Sequence, residues 1–149
     1  MTKLPILLFA AGLGTRMGDL TRDRPKPLVV VRGRALIDYA LDLVDEAAIG
    51  PSVVNLHYKG EMLRSHLTGR NVLFSDESGM LLETGGGLRH ALPLLGGTPV
   101  CTLNTDAVWR GANPNSALLK AWSPEMEALL LTIPKSNAVG HKGAGDFIA

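Results

Sequence analysis

The sequence predicts an α/β protein in which a mostly parallel central sheet lies between two layers of helices. Short apolar segments alternate with segments of helical periodicity, which is the pattern of repeated strand–helix units. The first apolar segment, 4–10, is continuous, as expected for a parallel strand covered on both faces. With 149 residues, of which 46% are apolar and 19% charged, the chain fits one globular domain with a real core.

The first half of the chain is predicted to contain three strands and two helices. A continuous apolar run, a change to helical spacing and proline or glycine punctuation identify them. In order they are strand 4–10, a proline-bounded loop at 22–27, an extended piece at 28–31 closed by Arg32-Gly33, a helix that starts at Leu36 and is ended by Gly50-Pro51, strand 52–56, helix 60–67 and strand 71–74.

The second half is predicted to continue the alternation. Residues 85–95 begin glycine-rich and turn helical, 99–103 form a buried strand, 115–122 form a helix capped by Asn115 or Ser116, and 128–133 form a fifth strand. Residues 143–149 predict a loop that leads into another strand. Either this last strand is very short or the chain is a fragment of a longer protein, and we favour the fragment.

Charge and cysteine content exclude several classes of protein. A net charge of +1 does not indicate a large basic footprint for nucleic acid or a membrane, and the N-terminal apolar run is too short to span a bilayer. The single cysteine, Cys101, cannot form an internal disulfide, which suits a reducing cytoplasm; we expect it to be a small buried hydrophobe. Nucleic-acid and membrane partners are not expected, and the oligomeric state is left open.

The first candidate binding segment follows the first strand and consists of Ala10, Ala11, Gly12, Leu13, Gly14, Thr15, Arg16 and Met17. Ligands of doubly wound sheets bind beyond the carboxyl ends of strands. Small residues let a backbone approach a ligand closely, and an arginine fork suits phosphate oxygens. The sequence Gly18-Asp19 excludes a Walker A loop, and the glycine spacing does not fit a dinucleotide fingerprint. A turn that only reverses the chain is the alternative.

Two further segments carry candidate functional groups. Lys26 stands between two prolines on a stiffened loop and is suited to reach a phosphate. Asp106 follows the predicted strand 99–103, where a carboxylate near a triphosphate is a natural Mg²⁺ ligand, and Asn104 could donate to a sugar hydroxyl. The alternatives are a solvated surface lysine, a helix-capping aspartate and an asparagine that bonds its own turn.

A third cluster, Leu82-Glu83-Thr84-Gly85-Gly86-Gly87-Leu88, contains three consecutive glycines before a predicted helix. Such a run is costly in conformational entropy. It suggests a backbone that lies against a flat ligand such as a base, with a flexible lid or hinge as the alternative.

Taken together, these motifs resemble those of a known family. The segment from Leu8 to Met17, followed by Arg24-Pro25-Lys26-Pro27-Leu28, is similar to the signature of sugar-1-phosphate nucleotidyltransferases. The ten-residue step from Arg16 to Lys26 matches that family, whereas molybdenum-cofactor guanylyltransferases place the lysine closer. The stretch 82–87 and Gly145-Asp146-Phe147 look most like the N-acetylmuramate 1-phosphate uridylyltransferase branch, with mannose 1-phosphate guanylyltransferases as near relatives.

The resemblance implies a Rossmann-like three-layer αβα nucleotidyltransferase fold over 1–149 that lacks the family's C-terminal sugar-side segment. It also implies transfer of a nucleoside monophosphate from an NTP, with UTP the first choice and GTP the second, to a sugar 1-phosphate in sugar-nucleotide biosynthesis for the cell wall. The implied roles are base and ribose binding by Ala10, Ala11, Gly12, Leu13 and Gly14, phosphate binding by Thr15, Arg16, Met17 and Lys26, base selection by Glu77, Gly85 and Gly86, sugar-phosphate binding by Glu83, Thr84, Asn104, Gly145 and Asp146, and Mg²⁺ on Asp106. Arg16, Lys26 and Asp106 would carry the catalysis.

Three departures from the family pattern leave other functions open. Thr105 stands where relatives usually have glycine, where its side chain could crowd the turn, and Gly18-Asp19 stands where many have Arg-Pro. Relatives also carry a second metal-binding aspartate in a later segment, and this chain has none. The alternatives are a non-catalytic nucleotide or nucleotide-sugar binding domain, an inactive fragment of a longer transferase, and a structural domain whose glycines only make turns.

Overall fold

Four parallel strands form the centre of the structure, a computed structural model that describes residues 4–97 and 99–148. These four are β1 (Ile6–Phe9), β4 (Ser52–Leu56), β5 (Val72–Asp76) and β6 (Cys101–Asn104), and two short strands, β2 (Val30–Val31) and β3 (Arg34–Ala35), lie outside the central sheet. The α-helices are α1 (Leu36–Glu46), α2 (Gly60–His66), α3 (Glu83–Leu95) and α4 (Pro114–Ala121), and short 3-10 helices cover Thr15–Thr21, Lys26–Leu28 and Lys135–Asn137.

The order of strands in the sheet is β5-β4-β1-β6, and every pairing is parallel. The chain runs outward from β1 through β4 to β5, and then returns to the other side of β1 to form β6. Strand order therefore reverses between β1 and β6, which is where ligands bind in doubly wound sheets. β2 and β3 form a separate antiparallel hairpin over the predicted Arg32-Gly33 turn.

Alternate residues of the central strands divide the core into two layers. Ile6 and Leu8 belong to a cluster with α1 and α2, whereas Leu7 packs with Ala91 and Leu95 of α3 on the opposite face. The side chains of Ile6, Leu7 and Leu8 are fully buried, which confirms the prediction of a strand covered on both faces. Burial of each such side chain stabilises the fold by about 1.5–3 kcal/mol. The three-layer αβα arrangement predicted from the sequence is confirmed.

The predicted strand 128–133 is wrong. This segment has no regular secondary structure, and its apolar side chains Leu130, Leu131 and Ile133 are exposed. An apolar run favours burial, but a strand also needs a neighbouring strand to satisfy its backbone groups. Residues 143–148 likewise form no strand in the described structure, and Ala149 lies outside it.

The prediction of a buried strand at 99–103 was wrong in one respect. β6 is an edge strand of the described sheet, so Thr102 and Asn104 are exposed while Cys101 and Leu103 are half-buried. Cys101 packs against the larger core cluster without being fully enclosed, and this partial burial raises the pKa of its thiol.

Two helix starts differ from prediction. α3 begins at Glu83, so the three glycines belong to the helix instead of preceding it. α4 is capped by Asn113, whose Oδ1 accepts the backbone N–H groups of Asn115 and Ser116, with Pro114 in the first helical position. The predicted caps Asn115 and Ser116 are therefore the residues whose N–H groups are capped. Within 4–97 and 99–148, no helix has both the length and the hydropathy to cross a bilayer.

Candidate functional site

An open cleft of about 540 Å³ lies beyond the carboxyl ends of β1 and β6, where strand order reverses. The structure brings most of the predicted site residues to this cleft, from four separate parts of the chain. They are Ala10, Ala11, Gly12, Leu13, Gly14, Thr15, Arg16, Met17, Lys26, Glu77, Glu83, Thr84, Asn104 and Asp106.

Four predicted residues do not line the cleft. Gly85 and Gly86 lie further along the first turn of α3, beyond Glu83 and Thr84. Gly145 and Asp146 are exposed in a segment of the described chain without regular secondary structure. Their assignment to base and sugar-phosphate binding stays a prediction.

The sequence prediction also missed residues that contribute to the cleft, above all Asn55. Its only signal is a single amide in the otherwise apolar end of β4, Val53-Val54-Asn55-Leu56. A polar residue that is 3% exposed within a central strand requires hydrogen-bond partners, and those of Asn55 lie in the loop after β1.

Gly14 fixes how closely the loop after β1 approaches Lys26. Its φ of 67° lies in the left-handed region, and a Cβ there would lie 3.0 Å from Thr21 Cγ2 and 3.2 Å from Lys26 Cβ. The Thr21 hydroxyl donates a hydrogen bond to the Gly14 carbonyl at 2.9 Å. The loop and the stem of Lys26 are therefore in close contact, and the positive φ together with this contact favours glycine at position 14.

The backbone N–H groups of the loop fall into two sets. Those of Ala10 and Ala11 donate to Asn55 Oδ1, at 2.6 and 3.2 Å. Those of Gly12, Leu13 and Gly14 have no acceptor among the residues that the structure describes. Three consecutive N–H groups at the edge of a cleft form a suitable contact for an electronegative ligand.

The charged side chains at the cleft are of both signs. Lys26 Nζ donates to Asp106 Oδ2 at 2.6 Å, while the exposed Arg16 guanidinium has no ion-pair partner in the described part of the chain. Asp19 lies outside the cleft and pairs with Arg22. The acidic side chain that departs from the family pattern therefore does not oppose an anion bound in the cleft.

Asp106 is a carboxylate of the cleft that could contribute to a magnesium site. Within 4–97 and 99–148, no three His, Cys, Asp or Glu residues form a group that could hold a metal. Mg²⁺ is commonly held by one or two carboxylates together with substrate phosphate oxygens. Asp106, with 42% of its side chain exposed, fits an ion that shares its ligands with a triphosphate.

Thr105 connects the two strand ends that form the cleft. It is 1% exposed, and its hydroxyl donates to the carbonyl of Phe9 at 2.7 Å. The side chain therefore does not crowd the turn where relatives have glycine, because it fills a buried position and satisfies a carbonyl at the end of β1.

We expect Thr105→Val to lower the free energy of unfolding by about 1–2 kcal/mol, because the Phe9 carbonyl loses its donor while the volume of the side chain is kept. Urea denaturation measures the change, and Thr105→Ser, which retains the hydroxyl, is the control. Equal stability of the valine and wild-type proteins would show that this hydrogen bond does not matter.

Comparisons with known proteins agree with this geometry. Residues 6–141 match the family model described as the MobA-like NTP transferase domain. The N-acetylmuramate alpha-1-phosphate uridylyltransferase of Caulobacter vibrioides is 42% identical over 150 aligned positions, which cover 94% of this chain and 62% of that protein. The enzyme with the same name from Neisseria meningitidis serogroup B is 38% identical over 68% of this chain and 46% of its own length.

The chain thus spans between 46% and 62% of the length of these two relatives. Among solved structures, a nucleotidyl transferase from Methanothermobacter thermautotroptrophicus superimposes with a TM-score of 0.69 over 81% of this chain and 58% of that one. Because the two sequences are only 17% identical, this likeness bears on the fold alone, and it agrees with the αβα arrangement. Since the family model covers nearly the whole sequence, the chain belongs to the MobA-like NTP transferase family.

Proposed function

We propose that this chain binds an NTP in the cleft and transfers its nucleoside monophosphate to a sugar 1-phosphate, releasing pyrophosphate. The observation that carries the proposal is the convergence of Lys26, Arg16 and Asp106 with three loop N–H groups that have no acceptor among the described residues, at the point where strand order reverses. UTP is the first candidate and GTP the second. The name of the Caulobacter relative supports N-acetylmuramate 1-phosphate as the acceptor.

The proposed reaction is an attack by a sugar phosphate oxygen on the α-phosphorus of the NTP. A new bond forms between that oxygen and the α-phosphorus, while the bond from the α-phosphorus to the bridging oxygen breaks and pyrophosphate leaves. A phosphate monoester, whose second pKa is about 6, is largely dianionic at neutral pH. The nucleophile therefore needs no general base, and the protein's task is to align two anions that repel each other.

Arg16 and Lys26 are proposed to offset this repulsion. Arg16 is exposed at the cleft without an ion-pair partner in the described structure, and its planar fork matches phosphate oxygens. Lys26 is held by Asp106, so a phosphate group would compete with that carboxylate for the ammonium. Mg²⁺, when bound with the NTP, would be held by Asp106 and would neutralise phosphate charge.

The remaining cleft residues are proposed to bind the two substrates. Glu83, Thr84 and Asn104 are exposed in the cleft and offer polar groups to a sugar phosphate, while the loop 10–14 would lie along the base and ribose. A cytoplasmic location is proposed as well, because it supplies NTPs and suits a chain with a single cysteine.

A matrix of NTPs against sugar 1-phosphates, with Mg²⁺ present and pyrophosphate release as the readout, tests the proposal. We expect the highest rate with UTP and N-acetylmuramate 1-phosphate. Titration of each NTP with and without Mg²⁺ accompanies the assay. If an NTP binds but no combination of NTP and sugar 1-phosphate releases pyrophosphate, a non-catalytic nucleotide-binding domain is favoured. If no NTP binds, the proposal is contradicted.

A further inference from the structure

Two buried polar side chains, Asn55 and Glu77, lie directly beneath the loop after β1. Each is 3% exposed. Asn55 Oδ1 accepts the N–H groups of Ala10 and Ala11, and Asn55 Nδ2 donates to Glu77 Oε1 at 2.9 Å. The loop is thereby connected through an amide to a buried carboxylate.

The second oxygen of that carboxylate connects the loop to α3. Glu77 Oε2 accepts the N–H group of Leu82 at 3.2 Å, and Leu82 directly precedes the helix. Both sides of the cleft, the loop after β1 and the start of α3, are therefore attached to the same pair of side chains. These two segments are far apart in sequence, and the hydrogen bonds of the Asn55–Glu77 pair connect them.

Gly87 lets the backbone of α3 pack closely against the pair. A Cβ on Gly87 would lie 2.8 Å from Glu77 Oε1 and 3.1 Å from Asn55 Nδ2. The backbone of α3 therefore packs directly on the hydrogen bond between the amide and the carboxylate. The glycine at position 87 is therefore required by contact with the pair, whereas the glycine run alone suggested contact with a flat ligand or a flexible hinge.

The free-energy cost of burying these two polar side chains points to more than a structural role for the pair. A buried carboxylate is costly, and replacing buried ionic or polar groups with well-packed apolar residues is often neutral or stabilising. The pair also takes up the first two N–H groups of the loop and leaves those of Gly12, Leu13 and Gly14 without acceptors in the described chain. Its hydrogen bonds thus select which donors of the loop remain for a ligand.

We propose that Asn55 and Glu77 are positioning residues for the nucleotide, which hold the loop after β1 and the start of α3 at the separation that an NTP requires. This inference rests on the proposed function. The two side chains act through the backbone that they hold, and neither needs to contact the phosphates.

The donors and acceptors of the pair allow a sharp test. In Glu77→Gln, the new NH₂ group must face either Asn55 Nδ2 or the N–H of Leu82, so a donor faces a donor. In Asn55→Asp, two buried carboxylates face each other. In the double variant N55D/E77Q, the carboxylate at position 55 accepts the N–H groups of Ala10 and Ala11 and also a hydrogen bond from the NH₂ group at position 77. The amide oxygen at position 77 accepts the N–H of Leu82. Every hydrogen bond is then restored with its central donor and acceptor exchanged.

The dissociation constant of UTP with Mg²⁺ is measured by calorimetry for the wild type, both single variants and the double variant, at a temperature where each is folded; GTP replaces UTP if the wild type binds only GTP. We expect each single variant to weaken binding about tenfold or more, because a buried polar group is left unpaired. We expect the double variant to bind within about threefold of the wild type.

Asn113→Asp is a matched control. Asn113 Oδ1 also accepts two backbone N–H groups, and its Nδ2 also donates to a glutamate, Glu46 Oε2, but it lies outside the cleft. We expect this variant to lower the melting temperature and to leave UTP binding unchanged.

The proposal is overturned if the single variants behave like Asn113→Asp, losing stability but not affinity, or if the double variant folds yet binds as weakly as the single variants. Should either single variant fail to fold, a double variant that recovers both folding and affinity supports the proposal. The wild-type measurement distinguishes failure of the proposed function from failure of the positioning role. A wild type that binds no NTP contradicts the proposed function, and the positioning role with it.

Discussion

Replacing Lys26 with methionine is expected to lower the rate of pyrophosphate release by about 10²-fold or more, because the proposed transition state loses a charge that is placed before the substrates arrive. The methionine keeps most of the stem that contacts Gly14, so the loop retains its packing. The ion pair with Asp106 is also lost, but that carboxylate is 42% exposed and stays solvated. We therefore expect little change in melting temperature.

Lys120→Met on α4 is the matched control, because it removes an exposed lysine that does not line the cleft. Initial rates of pyrophosphate release and the dissociation constant of UTP are measured for both variants and the wild type. An unchanged rate for Lys26→Met would show that this lysine does not act on the transferring phosphate.

Replacing Gly14 with alanine is expected to lower the free energy of unfolding by about 1–3 kcal/mol and to weaken NTP binding at the same time. The left-handed φ of 67° is unfavourable for alanine, and the new Cβ would press on Thr21 and on the stem of Lys26. Because the relaxation must move either the loop or Lys26, stability and affinity should fall together.

Gly12→Ala is the control for stability, since a Cβ at Gly12 would meet no atom within 4 Å. Urea denaturation and UTP titration measure the two effects. If Gly14→Ala were as stable as Gly12→Ala, the close approach between the loop and Lys26 would not be required by the fold.

Much of the fold could be predicted because its signals are local. A continuous apolar run predicts β1, helical spacing predicts α1, and the structure has both. Segment 128–133 shows where such signals fail, since apolar residues do not reveal whether a neighbouring strand is available to pair with them. The prediction of the cap of α4 was wrong for a related reason. Asn113 and Asn115 are equally good candidates by residue type, and only the structure shows that the side chain of Asn113 accepts the backbone N–H of Asn115.

The site was predictable to the extent that its residues belong to recognisable spacings. The loop after β1 and Lys26 were found by their spacing and Asp106 by its position after a predicted strand, and the structure brings them to one cleft. Asn55 has no motif, because its importance comes from partners in other segments. The three glycines of α3 illustrate the same limit: a Cβ on Gly85 would meet no atom within 4 Å, whereas one on Gly87 would meet Glu77, a difference that only packing reveals.

The start of α3 has a consequence for how the molecule fluctuates. The helix begins at Glu83 in a left-handed conformation, has no side-chain cap, and continues through glycines that each disfavour a helix by about 1 kcal/mol relative to alanine. Its other end is anchored by buried Ala91 and Leu95. The first turn should therefore open at a lower free energy than the rest of the helix, so that its amide hydrogens exchange sooner with solvent. A ligand that binds only when this turn is helical would have to supply the free energy that orders it. Affinity at the cleft would then depend on the fraction of molecules in which the first turn of α3 is already formed.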